Sequence, residues 1–193
     1  MKKPNHYYRI LVAAYSLSTF SEGILMPIYA VFVQKIGGGI LDAAGAVATF
    51  FIVMGIAEWI IFRRKYSHTH RLHLMVGGWI VWLLGICMYL IIRTVPILFL
   101  AQVLTALGNA IADPAFDAEL AERTDKGIQE FEWGTFEASK DIFQGIAALV
   151  GGLVVFAFGF HILVILMVIS ATVSFFLIFG NYWRRMKKEV AVS

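Results

Sequence analysis

The stretch that decides the fold is I-L-V-A-A-Y-S-L-S-T-F-S-E-G-I-L-M-P-I-Y-A-V-F-V-Q, residues Ile10 to Gln34. Its single charged residue, Glu22, lies twelve positions from either end. About 20 mostly apolar residues in a helix are enough to cross the hydrocarbon core of a bilayer. Glu22 is therefore expected near the midplane, where inserting a charge costs roughly 3 kcal/mol. A carboxylate kept at that cost predicts a functional site.

The composition of the whole chain is that of a membrane protein. Apolar residues make up 60% of the 193 residues, charged residues make up 15%, and the mean hydropathy is +0.77. These values predict an all-α membrane protein in which residues 1–193 form a single domain of six transmembrane helices. The predicted helices cover about residues 9–34, 40–62, 72–93, 96–116, 133–158 and 161–182.

The basic residues are divided unequally between the two sides of the predicted membrane domain. The N-terminus, the loops after the second and fourth spans and the C-terminal tail carry three, four, two and four Lys or Arg residues. The other side carries Lys35 and Arg93. Because Lys and Arg mark cytoplasmic loops, both termini are predicted to be cytoplasmic, in an inner or plasma membrane. Contact with the lipid bilayer explains these charges, and no nucleic-acid partner is expected.

Polar side chains recur at helical spacing on the first, fourth and fifth spans. Spacings of three and four residues place them on one face of each helix. These residues are Tyr15, Ser18, Thr19, Glu22, Met26 and Tyr29, then Gln102, Thr105, Asn109, Asp113 and Asp117, then Glu137, Lys140 and Gln144 with Asp141 beside them. A six-helix bundle has little interior to bury three such faces, so they predict a water-filled cavity completed by a second bundle. The third and sixth spans carry no internal charge and are expected to face lipid.

A purely structural role is the alternative for each polar group. A protonated Glu22 can bond to a neighbouring helix, and Gln102 and Asn109 can be ordinary interhelical hydrogen-bond formers. The charged residues near the ends of the fourth and fifth spans can form a structural ion-pair network. No nucleophile–base pair, metal-ligand constellation or phosphate-binding glycine loop stands out in the sequence. An enzyme, a metal site and a cofactor are therefore not expected.

Two stretches resemble helices of the major facilitator superfamily. The segment Q-V-L-T-A-L-G-N-A-I-A-D-P-A-F-D-A-E-L, residues 102–120, is similar to the family's fourth helix, R-x-x-x-G-x-G-x-A-x-x-x-P. Gly108, Ala110 and Pro114 match this pattern, whereas Gln102 and Ala106 replace the arginine and the first glycine. Residues 133–152, W-G-T-F-E-A-S-K-D-I-F-Q-G-I-A-A-L-V-G-G, resemble the fifth helix. In that helix Gly134, Gly145, Gly151 and Gly152 occupy positions suited to close packing.

The resemblance covers the chain as a single six-helix, half-size member, a 3+3 bundle resembling one half of a major facilitator transporter. In that family two halves share one orientation and hold the substrate between them. Two copies of this chain can reproduce that arrangement as a homodimer. The resemblance therefore implies a secondary active transporter of a small solute, coupled to protons and working by alternating access.

One departure from the family supports different functions. The loop after the second span keeps the basic character of the family's G-x-x-x-D-R-x-G-R-R motif but lacks its aspartate. This favours the alternative of a non-transporting membrane scaffold or assembly subunit. A further alternative is a half that pairs with a different half-transporter.

Roles for individual residues follow from the polar faces and the resemblance. Glu22 is predicted to be the proton-coupling group, because an intramembrane carboxyl can take up and release a proton. Ser18, Tyr29, Gln102 and Asn109 are predicted to bind substrate. The predicted cytoplasmic gate consists of Asp113, Glu137, Lys140, Asp141, Arg63 and Arg64. The substrate and the direction of transport stay open.

Overall fold

Helices form nearly all of the chain that the computed structural model describes, which is residues 6–63, 67–124 and 127–190. They are α1 (His6–Gly23), α2 (Tyr29–Lys35), α3 (Ile40–Ile61), α4 (His68–Met88), α5 (Val95–Ala121), α6 (Gln129–Phe158) and α7 (Phe160–Val190). A 3-10 turn, Met26–Ile28, joins α1 to α2 within the first span. The six spans are long and apolar enough to cross a membrane. The predicted fold class, an all-α protein with six transmembrane helices, is confirmed.

The first span differs from the continuous helix predicted over residues 9–34. Its α-helical part ends at Gly23 and resumes at Tyr29. Pro27 explains the break, because proline lacks an N–H donor and its ring clashes with the carbonyl four residues earlier, here that of Gly23. The break turns the chain beside the polar residues of the first span.

The two sequence triplets of spans interlock. Helix α1, which begins the first triplet, packs mainly against α6 and α7 of the second. Helix α5, which begins the second triplet, packs mainly against α3 and α4 of the first. The first helix of each triplet is thus exchanged into the other triplet. As a result α1 and α5, which carry Glu22 and Asn109, each pack among helices of the other triplet.

The helix ends that carry the basic loops lie together at one end of the bundle, here called the basic end. The Tyr8 hydroxyl donates to the Glu132 carbonyl at 2.5 Å and joins the starts of α1 and α6. Arg71, near the start of α4, forms an ion pair with Glu122, which follows α5. At the opposite end, the rings of Phe32 and Tyr89 lie 5.9 Å apart. Which end faces the cytoplasm remains a prediction from the charge distribution.

Glycine allows α4 and α5 to pack with their backbones nearly in contact. A Cβ added at Gly108 would lie 2.3 Å from the Trp82 backbone nitrogen, and one at Gly78 would lie 2.6 Å from that of Ala112. Small residues at such crossings let membrane helices approach closely. Gly108, which matches the pattern of the family's fourth helix, therefore allows Trp82 to pack directly against α5.

Only one of the four glycines expected at close contacts in the fifth span has a tight neighbour in the described part of the chain. A Cβ at Gly151 would lie 1.9 Å from the Ile24 carbonyl oxygen, in the break that follows α1. A Cβ at Gly134, Gly145 or Gly152 would meet no described atom within 4 Å. The other three positions therefore make no close contact with the described part of the bundle.

Helices α3 and α6 are the least buried of the six spans. Their outer faces carry exposed large apolar side chains. These are Phe51, Ile52, Ile56 and Trp59 on α3, and Ile146, Leu149, Leu153 and Phe156 on α6. Both helices leave an apolar surface free to contact lipid or another bundle.

Replacing Gly151 by Ala tests the close approach of α6 to the break in the first span. The added methyl group would collide with the Ile24 carbonyl, and overpacking of this kind costs about 1–3 kcal/mol. We expect the Gly151→Ala variant to unfold at a clearly lower temperature in detergent. Gly152→Ala is the matched control, because it has the same helix-propensity gain of about 1 kcal/mol without the collision. Equal melting temperatures for the two variants would contradict this packing.

Candidate functional site

A cavity of about 540 Å³ lies between the helices of the bundle, and the polar faces of three spans line it. The polar lining residues are Tyr15, Thr19, Glu22 and Tyr29 from the first span, Gln102, Thr105, Asn109 and Asp113 from α5, Gln144 from α6, and Tyr89 after α4. Val47, Phe50, Phe51 and Met54 of α3 form an apolar wall. The structure thus brings the first, fourth and fifth spans together around one space.

Glu22 is held by two hydrogen bonds and is also exposed to this cavity. The Trp82 indole N–H donates to Glu22 Oε1 at 2.5 Å, and the Asn109 side-chain amide donates to the same oxygen at 3.2 Å. Trp82 lies on α4 and Asn109 on α5, so the carboxylate links three helices. Glu22 therefore makes the hydrogen bonds to neighbouring helices that a purely structural role would require. Its side chain is nevertheless exposed in the cavity wall.

A second carboxylate, Asp113, lines the same cavity. Tyr15 lies in the same wall, close enough to Asp113 to interact electrostatically. The sequence-based prediction assigned Asp113 to the cytoplasmic gate, but the structure places it in the cavity wall with Glu22. The two carboxylates also border a small neighbouring space of about 30 Å³, next to Trp79. A space of that size holds roughly one or two water molecules.

Tyr29 and Gln102, two of the predicted substrate-binding residues, form a hydrogen bond with each other. The Gln102 amide donates to the Tyr29 hydroxyl at 2.6 Å and to the Tyr89 hydroxyl at 3.3 Å. This group joins the first span, α5 and the turn after α4. These three residues line the cavity on the side that faces away from the basic end.

Ser18 does not face the large cavity. Its side chain is buried, and its hydroxyl donates to the Tyr15 carbonyl at 2.7 Å within α1. It borders the small space beside Glu22 instead. Of the four predicted substrate-binding residues, Tyr29, Gln102 and Asn109 therefore line the cavity, and Ser18 does not.

The remaining predicted gate residues do not form one cluster. Lys140 forms an ion pair with Glu137 one turn away on α6, and Asp117 of α5 lies close enough to this pair to interact electrostatically. Asp141 is exposed on the same helix. The Arg63 guanidinium lies 3.8 Å from the centre of the Trp59 ring, whereas Arg64 lies outside the described residues.

An aromatic cluster lies on the side of the cavity that faces the basic end. The Tyr15 ring, in the cavity wall, lies 4.6 Å from the ring of Phe116 and 5.3 Å from that of Phe136. Phe116 and Phe136 are both buried, and their rings are 5.9 Å apart. Helices α1, α5 and α6 therefore meet at this cluster, which lies between the basic end and the carboxylates of Glu22 and Asp113.

Reasoning from the sequence missed Trp82, Tyr89, Phe116 and Phe136. Trp82 and Tyr89 belong to the third span and the turn after it, which were expected to face lipid. Their polar atoms were a usable signal, because a buried indole N–H or phenol O–H needs a hydrogen-bond partner. Phe116 and Phe136 gave no such signal, because a phenylalanine in an apolar span looks the same in the sequence whether it contacts lipid or a neighbouring helix.

Comparisons with known proteins identify the fold. Residues 11–193 match the model of the family described as the Major Facilitator Superfamily. No curated protein matches the chain. The structure is similar to the in meso crystal structure of PepTSo, a POT family transporter, with a TM-score of 0.72 and 16% sequence identity. The likeness covers 97% of this chain and 38% of that chain, so this chain spans well under half the length of that transporter.

Cysteine labelling tests whether Glu22 is open to water. In a Cys87→Ala background, which removes the native thiol, we expect Glu22→Cys to react rapidly with a water-soluble methanethiosulfonate reagent. Ser21→Cys is the matched control, because Ser21 is fully buried and its hydroxyl donates to the Met167 carbonyl at 2.8 Å. Ser21→Cys should stay protected. If position 22 is as protected as position 21, Glu22 is sealed between helices and the cavity is dry there.

Proposed function

The chain belongs to the major facilitator superfamily, and from this membership we propose that it is a secondary active transporter of a small solute rather than an enzyme. The observation that carries the proposal is Glu22, a carboxylate in the middle of a membrane span that is exposed to a cavity of about 540 Å³. Ionisable residues in such positions mark ion pathways and proton relays. In a multi-pass membrane protein, this position of Glu22 supports the proposal that solute movement is coupled to protons.

We infer that two copies of the chain enclose one substrate cavity. The apolar outer faces of α3 and α6 support this inference, because α3 also forms a wall of the cavity and its exposed Phe51 lies in both surfaces. Both described ends of the chain lie at the basic end, so two copies in the same orientation can be related by an axis along the membrane normal. The charge distribution supports a cytoplasmic position for that end, in an inner or plasma membrane.

Alternating access in this dimer is proposed to occur by rocking of the two bundles. The Tyr15–Phe116–Phe136 cluster and the Glu137–Lys140 pair would close the basic end in one state. Contacts near the Tyr29–Gln102–Tyr89 group would close the opposite end in the other state. A ligand shifts this equilibrium only by its difference in affinity for the two states, so the residues that bind it must be placed differently in each.

Glu22 is suited to couple that movement to a proton. Its carboxylate bonds to Trp82 on α4 and Asn109 on α5, so protonating it changes the forces between three helices. The small space beside Glu22 and Asp113 has room for water that can carry a proton between the two carboxylates. Tyr29, Gln102 and Asn109 remain the proposed substrate contacts.

One observation favours a second function. The segment F-R-R-K-Y-S-H-T-H-R at residues 62–71, which follows α3 and includes the start of α4, lacks the aspartate of the family's gating motif. A scaffold or assembly subunit would keep the fold without needing that gate. Such a protein would show no solute-driven proton movement, and this outcome separates the two functions.

Substitution of Glu22 by Gln tests the coupling role. In proteoliposomes that contain a pH-sensitive dye, solutes of several chemical classes are screened for the proton flux they induce. We expect Glu22→Gln to abolish the flux that the wild-type protein shows, because an amide keeps the shape of the side chain but cannot carry the proton. Glu130→Gln, an exposed residue at the start of α6, is the control and should retain the flux. Undiminished flux in Glu22→Gln would rule out the coupling role.

Mixed dimers test whether two copies share one cavity. Wild-type and Glu22→Gln chains with different tags are co-expressed in known ratios and reconstituted. If one cavity needs both copies, transport should fall with the square of the wild-type fraction, because dimers with one altered copy are also inactive. A linear decline, together with failure of the two tagged copies to co-purify, would show that the chain works alone or with a different partner.

A further inference from the structure

We infer that the cavity binds an organic cation, a ligand with an ammonium-type group attached to an aromatic or apolar body. This inference names the substrate class of the transporter proposed above, so its role in transport depends on that function. Binding itself depends only on the chemistry of the cavity wall.

The charged groups in the cavity wall are all acidic in the part of the chain that the structure describes. Glu22 and Asp113 are the charged residues among the lining side chains, and they lie close enough to interact electrostatically. Lys140 forms its ion pair with Glu137 nearer the basic end. Two neighbouring carboxylates repel an anion and attract a cation, most strongly where protein excludes water.

The hydrogen-bond donors of the wall are largely engaged within the protein. Asn109 of the wall donates to Glu22, as does Trp82 from the small neighbouring space, and Gln102 donates to two tyrosine hydroxyls. The Thr19 hydroxyl donates to the Tyr15 carbonyl, and the Thr105 hydroxyl donates to the Ala101 carbonyl. The wall therefore offers mainly acceptors to a ligand. A carboxylate or phosphate ligand needs donors, whereas an ammonium group needs acceptors.

The orientation of Glu22 also suits a cation. Both of its hydrogen bonds end on Oε1, so Oε2 takes part in neither of them. Trp82 and Asn109 thus fix the carboxylate from one side, while the side chain stays exposed in the cavity wall. A rigidly held carboxylate loses little conformational freedom when it contacts a ligand.

The rest of the wall fits the apolar part of such a ligand. Aromatic rings and methionine side chains provide it, namely Tyr15, Tyr29, Phe50, Phe51, Tyr89, Met26, Met54 and Met167. Aromatic faces attract organic cations through cation–π interactions, and methionine adapts to ligands of different shape. The volume of about 540 Å³ lies within the range of pockets that hold small organic molecules. The combination of rings with carboxylates favours an organic cation over a bare metal ion, which prefers oxygen ligands throughout.

Calorimetric titration of the purified protein with benzyltrimethylammonium tests the inference. This probe carries one aromatic ring and a charge that does not change with pH. Benzyl alcohol and phenylmethanesulfonate are the neutral and anionic controls of similar size. We expect the cation to bind and the two controls to bind at least about tenfold more weakly. Glu22→Gln and Asp113→Asn should each weaken binding of the cation by about tenfold, and Glu130→Gln should leave it unchanged.

A gain-of-charge variant guards against effects of misfolding. Gln144 lines the cavity on α6, and its amide donates to the sulfur of Met26 at 3.3 Å. Gln144→Glu adds a third carboxylate to the wall and should bind benzyltrimethylammonium more tightly, a result that loss of structure cannot produce. Preference for the sulfonate, or cation binding that is indifferent to all three substitutions, would overturn the inference.

The outcomes separate this inference from the proposed function. If the cation binds through Glu22 and Asp113 but is not moved in proteoliposomes, the site stands and the transport proposal fails. If a neutral or anionic solute drives Glu22-dependent proton flux while no cation binds, the protein is a transporter and the inferred substrate class is wrong.

Discussion

A carboxylate in the middle of a membrane helix must be given polar partners or water, and this constraint organises the bundle. Glu22 receives both, through donors on α4 and α5 and through the cavity beside it. Supplying the donors requires α4 and α5 to lie close together and close to α1. The glycines at positions 78 and 108 make that possible, because their backbones take the place that side chains would occupy. The hydrogen bonds to Glu22 therefore depend on the close packing of α1, α4 and α5.

The break in the first span has a similar double role. Pro27 ends the regular helix near Gly23, and the carbonyl of Ile24 then sits directly against Gly151 of α6. Beyond the break the chain presents Tyr29 to Gln102 on α5. A continuous helix would direct these residues differently, since side-chain direction follows the helical repeat of 3.6 residues. The irregular segment lies where it lines a cavity, which is where a membrane protein tolerates it.

The sequence was sufficient for the number and class of the helices, because hydropathy over about 20 residues reports directly on membrane insertion. It also predicted which faces would be polar, since the spacing of Glu22, Asn109 and Gln144 is a local property of each helix. It did not predict which neighbours those faces meet. Asp113 was assigned to a gate from its distance along the chain, and Trp82 was assigned to lipid from the apolar character of its span. Both assignments depended on tertiary packing, which a single helix does not encode.

In the described part of the chain the charged groups of the cavity wall are Glu22 and Asp113, and their negative charge determines how a proton and a solute would be coupled. A proton on Glu22 or Asp113 removes part of the negative charge that attracts a cation, so the two ligands compete for the same groups. Competition of this kind links the loading of one to the release of the other, as exchange across the membrane requires. Co-transport in the same direction would instead need an acid whose protonation improves solute binding. In the proposed dimer a second copy supplies the same residues again, which doubles the carboxylates without adding a cation to the wall. In such a dimer the competition between proton and cation would be stronger, which would favour exchange of the two across the membrane.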